Sequence, residues 1–291
     1  MNIMKFKPLF FTISLFFLVP GIFFLLRFGL KPAIDFTGGS LLEIKAEGLV
    51  DDKESISEQV GDIYEISLVQ SSGDNQIIIR GKNIGNEVKE EVLIKLSEKY
   101  GEIEELRFET VGPTLGKELL MKTFAAIVIV SGLITLYVWK QFNDFRFGVS
   151  AILAMFHDSL ILLGAFSVLG HFYHVEVDVL FVTALLTTLS FSVHDTIVVF
   201  DRIRELRNKN YKSSLTEIVN MAVIETLSRS INNSVTIIIM LLALVLIGGE
   251  SIKWFSVALL IGAVTGTYSS TFTAAPLILL WEDISNKRKN R

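Results

Sequence analysis

At 291 residues, 51% of them hydrophobic, and a mean hydropathy of +0.51, the chain holds far more apolar side chain than one water-soluble core can hide, which excludes a soluble enzyme. The net charge of −4, with 27 basic residues in short clusters rather than along one groove, excludes a nucleic-acid binder. The absence of cysteine excludes disulfides, thiolate metal sites and thiol catalysis.

A hydrocarbon core about 30 Å thick takes roughly 20 apolar residues in helical form. Six runs of that kind occur, at 8–26, 119–139, 147–169, 177–200, 231–248 and 254–281, and they predict six transmembrane helices. The first follows Lys5 and Lys7 as a signal peptide would. It is as long as a span and ends at Arg27–Pro32 without a small-residue cleavage pattern, so it is expected to remain as an anchor.

Between the first and second runs, residues 29–118 change period. Leu42, Ile44 and Ala46 alternate with Leu41, Glu43 and Lys45, and Ile77 and Ile79 alternate with Ile78 and Arg80, which predicts strands. Residues 52–63 and 86–100 have helical spacing, the second with Val88, Val92, Leu96 and Tyr100 at every fourth position. With further strands near 65–70 and 104–110 the order is βαββαβ, the split βαβ or ferredoxin-like unit. Asp74-Asn75 reads as the turn of the central hairpin. The glycine pair in Asp35-Phe36-Thr37-Gly38-Gly39 permits positive φ or close backbone approach, and taken by itself reads as a turn.

The later runs contain groups that hydrocarbon disfavours. A carboxylate near a helix centre costs about 2.5–3.5 kcal/mol on insertion scales, so such groups face a cavity or a partner. His157-Asp158 lies in the third run and His194-Asp195 in the fourth; consecutive spans are antiparallel, so the two pairs can approach each other. Arg229, entering the fifth run, is a natural counter-charge. Three chemistries compete: acids that fix helix register, intramembrane aspartyl proteolysis, and a proton site. The Gly-x-Gly-Asp pattern expected of the protease is missing, and the proton site, chiefly at Asp195, is the preferred reading. Adjacent helical residues point about 100° apart, so each dipeptide offers one metal ligand rather than two, and no metal site is expected. The two histidines are expected to hydrogen-bond near the acids, and Gly262–Gly266 to serve close helix packing.

The segments 140–146, 201–230 and 282–291 carry most of the remaining Lys and Arg, whereas 171–176 carries none and 249–253 one. By the positive-inside rule both termini face the cytoplasm. The expected organisation is residues 1–28 as N-terminus and first helix, 29–118 as an extracytoplasmic domain, 119–281 as helices two to six with a cytoplasmic loop near 201–230, and 282–291 as a basic cytoplasmic tail.

At this point the motifs resemble those of the SecF family, membrane subunits that act with SecD in bacterial protein export, within the resistance-nodulation-division superfamily. Asp35-Phe36-Thr37-Gly38-Gly39 is similar to the family's opening motif and 111–119, containing Gly112, Pro113 and Gly116, to its second-span entry. Phe156-His157-Asp158 is similar to the third-span signature, and 194–205 to the fourth-span one. The resemblance covers nearly the whole chain. It implies an α-helical polytopic half-transporter of the bacterial inner membrane whose outer domain touches the emerging preprotein and which is driven by the proton motive force, with sodium left open and no cofactor. It also implies Asp195, Arg229 and Asp158 as the proton relay. His157, His194, Thr196, Asn232 and Asn233 would support it, and Asp35, Gly38, Gly39, Gly112, Pro113 and Gly116 would serve as hinge or motif residues. The implied partners are SecD and the SecYEG translocon, with YajC and a YidC-type insertase beyond them, the preprotein and membrane lipid.

Two motifs depart from the family pattern. His194 stands where the family commonly has Asn, which puts a second titratable group beside the proton site. Residues 229–234 read Arg-Ser-Ile-Asn-Asn-Ser where the family commonly reads Arg-Thr-Ile-Asn-Thr-Ser, and polarity is kept. The alternatives are half of a small-molecule or lipid exporter of the same superfamily, and a scaffold whose buried charges only specify helix pairing.

Overall fold

The computed structural model describes residues 2–48, 52–73, 75–142, 144–209 and 212–289. In chain order, a 3₁₀ turn (Ile3–Phe6) leads into α1 (Lys7–Phe28). A one-turn helix α2 (Ile34–Thr37) precedes β1 (Gly39–Lys45), α3 (Lys53–Val60), β2 (Ile66–Gly73), β3 (Gln76–Gly81), α4 (Asn86–Tyr100) and β4 (Glu104–Val111). There follow α5 (Pro113–Gln141), α6 (Phe145–Tyr173), α7 (Val179–Lys209), α8 (Leu215–Ile247), α9 (Glu250–Ser269), a π-helical turn (Ser270–Ala274) and α10 (Ala275–Lys289). The chain forms two compact units, one of residues 32–125 and one of residues 1–31 with 126–291.

Among the described residues, six helical stretches are long and apolar enough to cross a membrane: Ile3–Phe28, Pro113–Gln141, Phe145–Tyr173, Val179–Lys209, Leu215–Ile247 and Ser251–Ile284. They match the six apolar runs in order, and the sixth comprises α9, the π turn and most of α10. Local chemistry sets their ends. Asp144 caps α6 by accepting from the Arg146 amide at 3.1 Å, and Ser214 and Glu217 form a reciprocal capping box at the start of α8. Within this unit α1 and α6 meet through glycine, since a Cβ added at Gly164 would lie 2.5 Å from the Gly21 Cα. A Cβ added at Gly262 would collide with the Thr188 hydroxyl, so the small residues of α9 seat it against α7.

The smaller unit is a four-stranded sheet in the order β2-β3-β1-β4, with every neighbouring pair antiparallel. The predicted alternation is realised in β3, whereas β1 is buried on both faces from Gly39 to Ile44, Leu41 and Glu43 included; Leu42, Ile44, Ile77 and Ile79 are fully buried with Ile56 and Val60 of α3 and Val92 and Leu96 of α4. Helix α3 stops at Val60, short of the predicted Ile63, because the amides of Ile63 and Tyr64 both fold back onto the Val60 carbonyl. Asn75 holds the φ of 59° that a tight hairpin turn needs, while its predicted companion Asp74 lies outside the described residues.

Tyr64 is 1% exposed and its hydroxyl donates to the Ser40 carbonyl at 2.9 Å. Burial pushes its phenol from 10.0 up to about 12. The folded unit therefore keeps this proton longer than the unfolded chain does. Its contribution is complete below pH 10 and is lost as pH rises toward 12, a loss on the order of 2–3 kcal/mol. Alkaline denaturation followed by tyrosine absorbance should show this slope in the native protein and lose it in Tyr64→Phe, at a cost of about 1 kcal/mol near neutral pH.

Candidate proton site within the spans

The third-span acid is the most enclosed ionisable group of the candidate site. Asp158 is 1% exposed and accepts at both oxygens: Oδ1 lies 2.9 Å from the His157 Nδ1, and Oδ2 accepts from the Ser269 hydroxyl at 2.5 Å. Adjacent residues on a helix can close this contact because the imidazole reaches sideways across the turn. Buried carboxyl groups in hydrocarbon need such partners.

Asp195 is half-buried on α7 and takes a hydrogen bond from the Ser230 hydroxyl of α8. A narrow cavity opens beside it, lined also by Asn233, Ser234, Gly266 and Thr267. Thr196, fully buried, donates to the Ser192 carbonyl at 2.8 Å and lies 3.1 Å from the Ser270 hydroxyl. The other predicted residues are placed differently. Arg229 is exposed and lines an open groove with Asp201, Arg202, Glu205 and Glu225. It pairs with no acid among the described residues, so the structure brings it within one residue of Ser230 but not onto Asp195. His194 is exposed and has no hydrogen-bond partner among the described residues. Asn232 and Asn233 are exposed, and of the two only Asn233 faces the cavity.

The two acids do not touch; hydroxyl groups of the sixth span stand next to both. Besides Ser269 and Ser270, Thr267 lies 2.5 Å from the Ser234 hydroxyl, and Ser234 in turn donates to the Ser230 carbonyl at 2.8 Å. Neither charge nor motif singles out Ser230, Ser234, Thr267, Ser269 and Ser270. The signal in the sequence is the run of hydroxyl side chains at 265–273, which is too polar for a helix that serves only to anchor.

The glycine motif sits in the smaller unit and does not act as a plain turn. Asp35, Phe36 and Thr37 belong to α2, Gly38 follows at φ +74° and Gly39 at φ +128°. A Cβ at Gly38 would fall 2.7 Å from the Pro113 Cα, and one at Gly116 would fall 2.8 Å from the Gly38 nitrogen. The opening motif and the entry to α5 are thus one interlocked joint, and Gly112 alone of these glycines has open space around it.

The chain is similar to known proteins along most of its length. The family described as "Protein export membrane protein SecD/SecF, C-terminal" matches residues 91–283, and the "SecD/SecF GG Motif" matches residues 23–48. The protein translocase subunit SecF of Thermobaculum terrenum is 42% identical, with 97% of this chain and 94% of that protein covered. The protein translocase subunit SecDF of Bacillus subtilis is 35% identical over 95% of this chain and 37% of its own length. The crystal structure of SecDF from Thermus thermophilus, described as a translocon-associated membrane protein, superposes with a TM-score of 0.86 at 30% identity, covering 97% of this chain and 39% of that one. The chain therefore spans about two fifths of the SecDF proteins and nearly all of the SecF proteins. The glycine joint falls in the matched GG motif and both acids fall in the matched C-terminal region, and the chain, a multi-pass membrane protein, belongs to the SecF family of protein-export membrane proteins.

Proposed function

We propose that this chain is a SecF-type subunit of a Sec accessory complex that uses the proton motive force to promote preprotein translocation and release across the bacterial cytoplasmic membrane. The observation that carries the reading is Asp195: a half-buried carboxylate inside a span, held by a hydroxyl of the next span and bordered by a cavity. A group so placed can gain and lose a proton with little rearrangement. Asp158 is the second acid of the relay. Arg229, which precedes the Asp195 partner Ser230 on α8, is the proposed counter-charge of the relay. The exporter and scaffold alternatives have no comparable observation in their favour.

The rest of the reading has its own supports. Strand order and antiparallel pairing favour a ferredoxin-like unit, and the basic loops favour an extracytoplasmic place for it with both termini inside. Relatives in which this length is about two fifths of a SecDF chain favour a SecD-type partner supplying the remainder. SecYEG, YajC and a YidC-type insertase come with the family. Glycine and proline make residues 29–32 the proposed hinge of the outer unit, whereas Pro113 and Gly116 pack against the glycine motif within it.

One proton crossing 100 mV yields about 2.3 kcal/mol, and each unit of pH difference adds about 1.4. Inverting a two-state equilibrium from 1:99 to 99:1 takes about 5.5 kcal/mol, so the cycle uses more than one proton or starts nearer balance. The test is preprotein uptake into proteoliposomes holding the translocon and this chain with a SecD-type partner. Collapsing the proton gradient is expected to reduce uptake to the level without this chain, and a sodium ionophore to leave it unchanged. Uptake indifferent to the proton gradient defeats the proposal.

A further inference from the structure

His157 and Asp158 are 6% and 1% exposed, and the Nε2 of His157 is buried without a hydrogen-bond partner among the described residues. Its ring stacks on Tyr268 with centroids 6.5 Å apart, and the Tyr268 hydroxyl is occupied by the Phe10 carbonyl at 2.7 Å. Among the described residues His157 is the only ionic partner of Asp158. A pair with one internal bond, one hydroxyl clamp and one bare ring nitrogen has room for a proton. With Nδ1 unprotonated, a proton taken up at Oδ1 of Asp158 is donated to Nδ1 across the same contact, so the pair holds it without opening.

The clamp on this pair belongs to a stretch that also reaches the surroundings of Asp195. Ser269 donates to Asp158, while its neighbour Ser270 lies 3.1 Å from the hydroxyl of Thr196, the residue after Asp195. Thr267 meets Ser234, which bonds the carbonyl of Ser230, the residue whose hydroxyl serves Asp195. At Ser270 the helix passes from α to π geometry. A π turn is the rarer backbone state and is found chiefly at functional sites. Converting it to α geometry shifts the register of α10 by one residue, about 100°. Relaxing the turn to α geometry would give the joint a second arrangement, and one of its hydroxyls is fixed by an acid.

We propose that His157-Asp158 is a second proton-binding site and that the α-to-π junction at Ser269-Ser270 couples its protonation to that of Asp195. This rests on the proton reading of Asp195. The groups facing Asp158 are His157, Tyr268 and Ser269. Those near Asp195 are Ser230 and Asn233, with His194 adjacent in the chain and Arg229 beside Ser230. Ser269 and Ser270 are positioning residues. A carboxylate accepts strongly from Ser269 and a neutral carboxyl weakly, so protonating Asp158 loosens the clamp and frees Ser270 to leave Thr196.

The test follows the carboxyl stretch of Asp158 by infrared spectroscopy on the purified chain across pH, assigned by Asp158→Asn. Neutralising the other acid as Asp195→Asn is expected to move the Asp158 midpoint by about one pH unit, a tenfold change in proton affinity. In Ser269→Ala and Ser270→Ala the same step should move it by less than about twofold in affinity, whereas Ser269→Thr, which keeps the hydroxyl, should retain the full shift. An Asp158 that shows no titration, or a midpoint indifferent to Asp195, overturns the proposal. So does a full shift that persists in both alanine variants, since that is through-space electrostatics. No transport is measured, so failure of this link and failure of proton-driven export are read separately.

Discussion

Asp195→Asn is expected to reduce preprotein transport to the rate seen without a proton gradient, while membrane insertion and association with a SecD-type partner stay at native level. The asparagine has the same shape, and its amide oxygen still accepts from Ser230, so the α7–α8 contact survives. What disappears is the carboxylate beside Ser230 that can exchange a proton. Asp195→Ala is a worse probe, because it leaves the Ser230 hydroxyl inside the interface without its partner, at about 1–3 kcal/mol, and mixes folding loss with coupling loss. The measurement is a pair of rates for each variant, with and without an ionophore. For Asp195→Asn the two rates should coincide. If they differ as they do in the native protein, Asp195 is not the coupling group and the proposed function loses its main support.

Charge in an apolar run is readable from sequence because it is anomalous: Asp158 and Asp195 each cost insertion energy that some partner must offset. The hydroxyl partners are not readable for the same reason turned round. Serine and threonine cost little in a helix and usually satisfy themselves on the carbonyl four residues earlier, as Thr265 does on Ile261 and Ser159 on Met155. Nothing in composition separates these from Ser269, which reaches instead to another span. The π turn at Ser270 is equally silent, since its residues Ser270–Ala274 carry no pattern that distinguishes it from α-helix. Helix limits show a similar division. Apolar runs locate the spans, yet α8 begins at Leu215, well before the apolar run at 231, and α7 continues to Lys209, past the end of its own run at 200. Those extensions alternate buried apolar residues such as Ile203, Leu206, Ile218 and Val219 with exposed charged ones, so a search for hydropathy passes over them, although Ser214-x-x-Glu217 does spell out the capping box. In the sheet, alternation suffices for β3, whose Ile77 and Ile79 pack with α3 and α4 while their neighbours stay partly exposed; the central strand β1 is buried on both faces, so there the period of two marks side-chain direction and not exposure.

The glycine joint yields the second large effect. Gly38→Ala is expected to destabilise the smaller unit by about 3 kcal/mol or more, from two sources. A non-glycine residue at φ +74° carries about 1–2 kcal/mol of backbone strain. Its Cβ would also stand 2.7 Å from the Pro113 Cα, a collision between backbones that no rotamer relieves. Overpacking of that kind costs about 1–3 kcal/mol. Gly116→Ala meets only the second term, with its Cβ 2.8 Å from the Gly38 nitrogen and 3.2 Å from the Phe36 carbonyl carbon, so about 1–3 kcal/mol is expected. Gly112→Ala has nothing within 4 Å and no positive φ, and should change stability by less than about 0.5 kcal/mol. The three substitutions lie within one joint, so they separate packing from flexibility. If these glycines serve only as swivels, alanine at 112 should harm as much as alanine at 116. If Gly38 and Gly116 exist so that α2 and the first turn of α5 can touch, the order of damage is Gly38, then Gly116, then Gly112. Thermal unfolding of the purified chain, with limited proteolysis to locate the weakened unit, distinguishes the two. Equal tolerance at all three positions would remove the close approach of α2 and α5 as the reason for the motif.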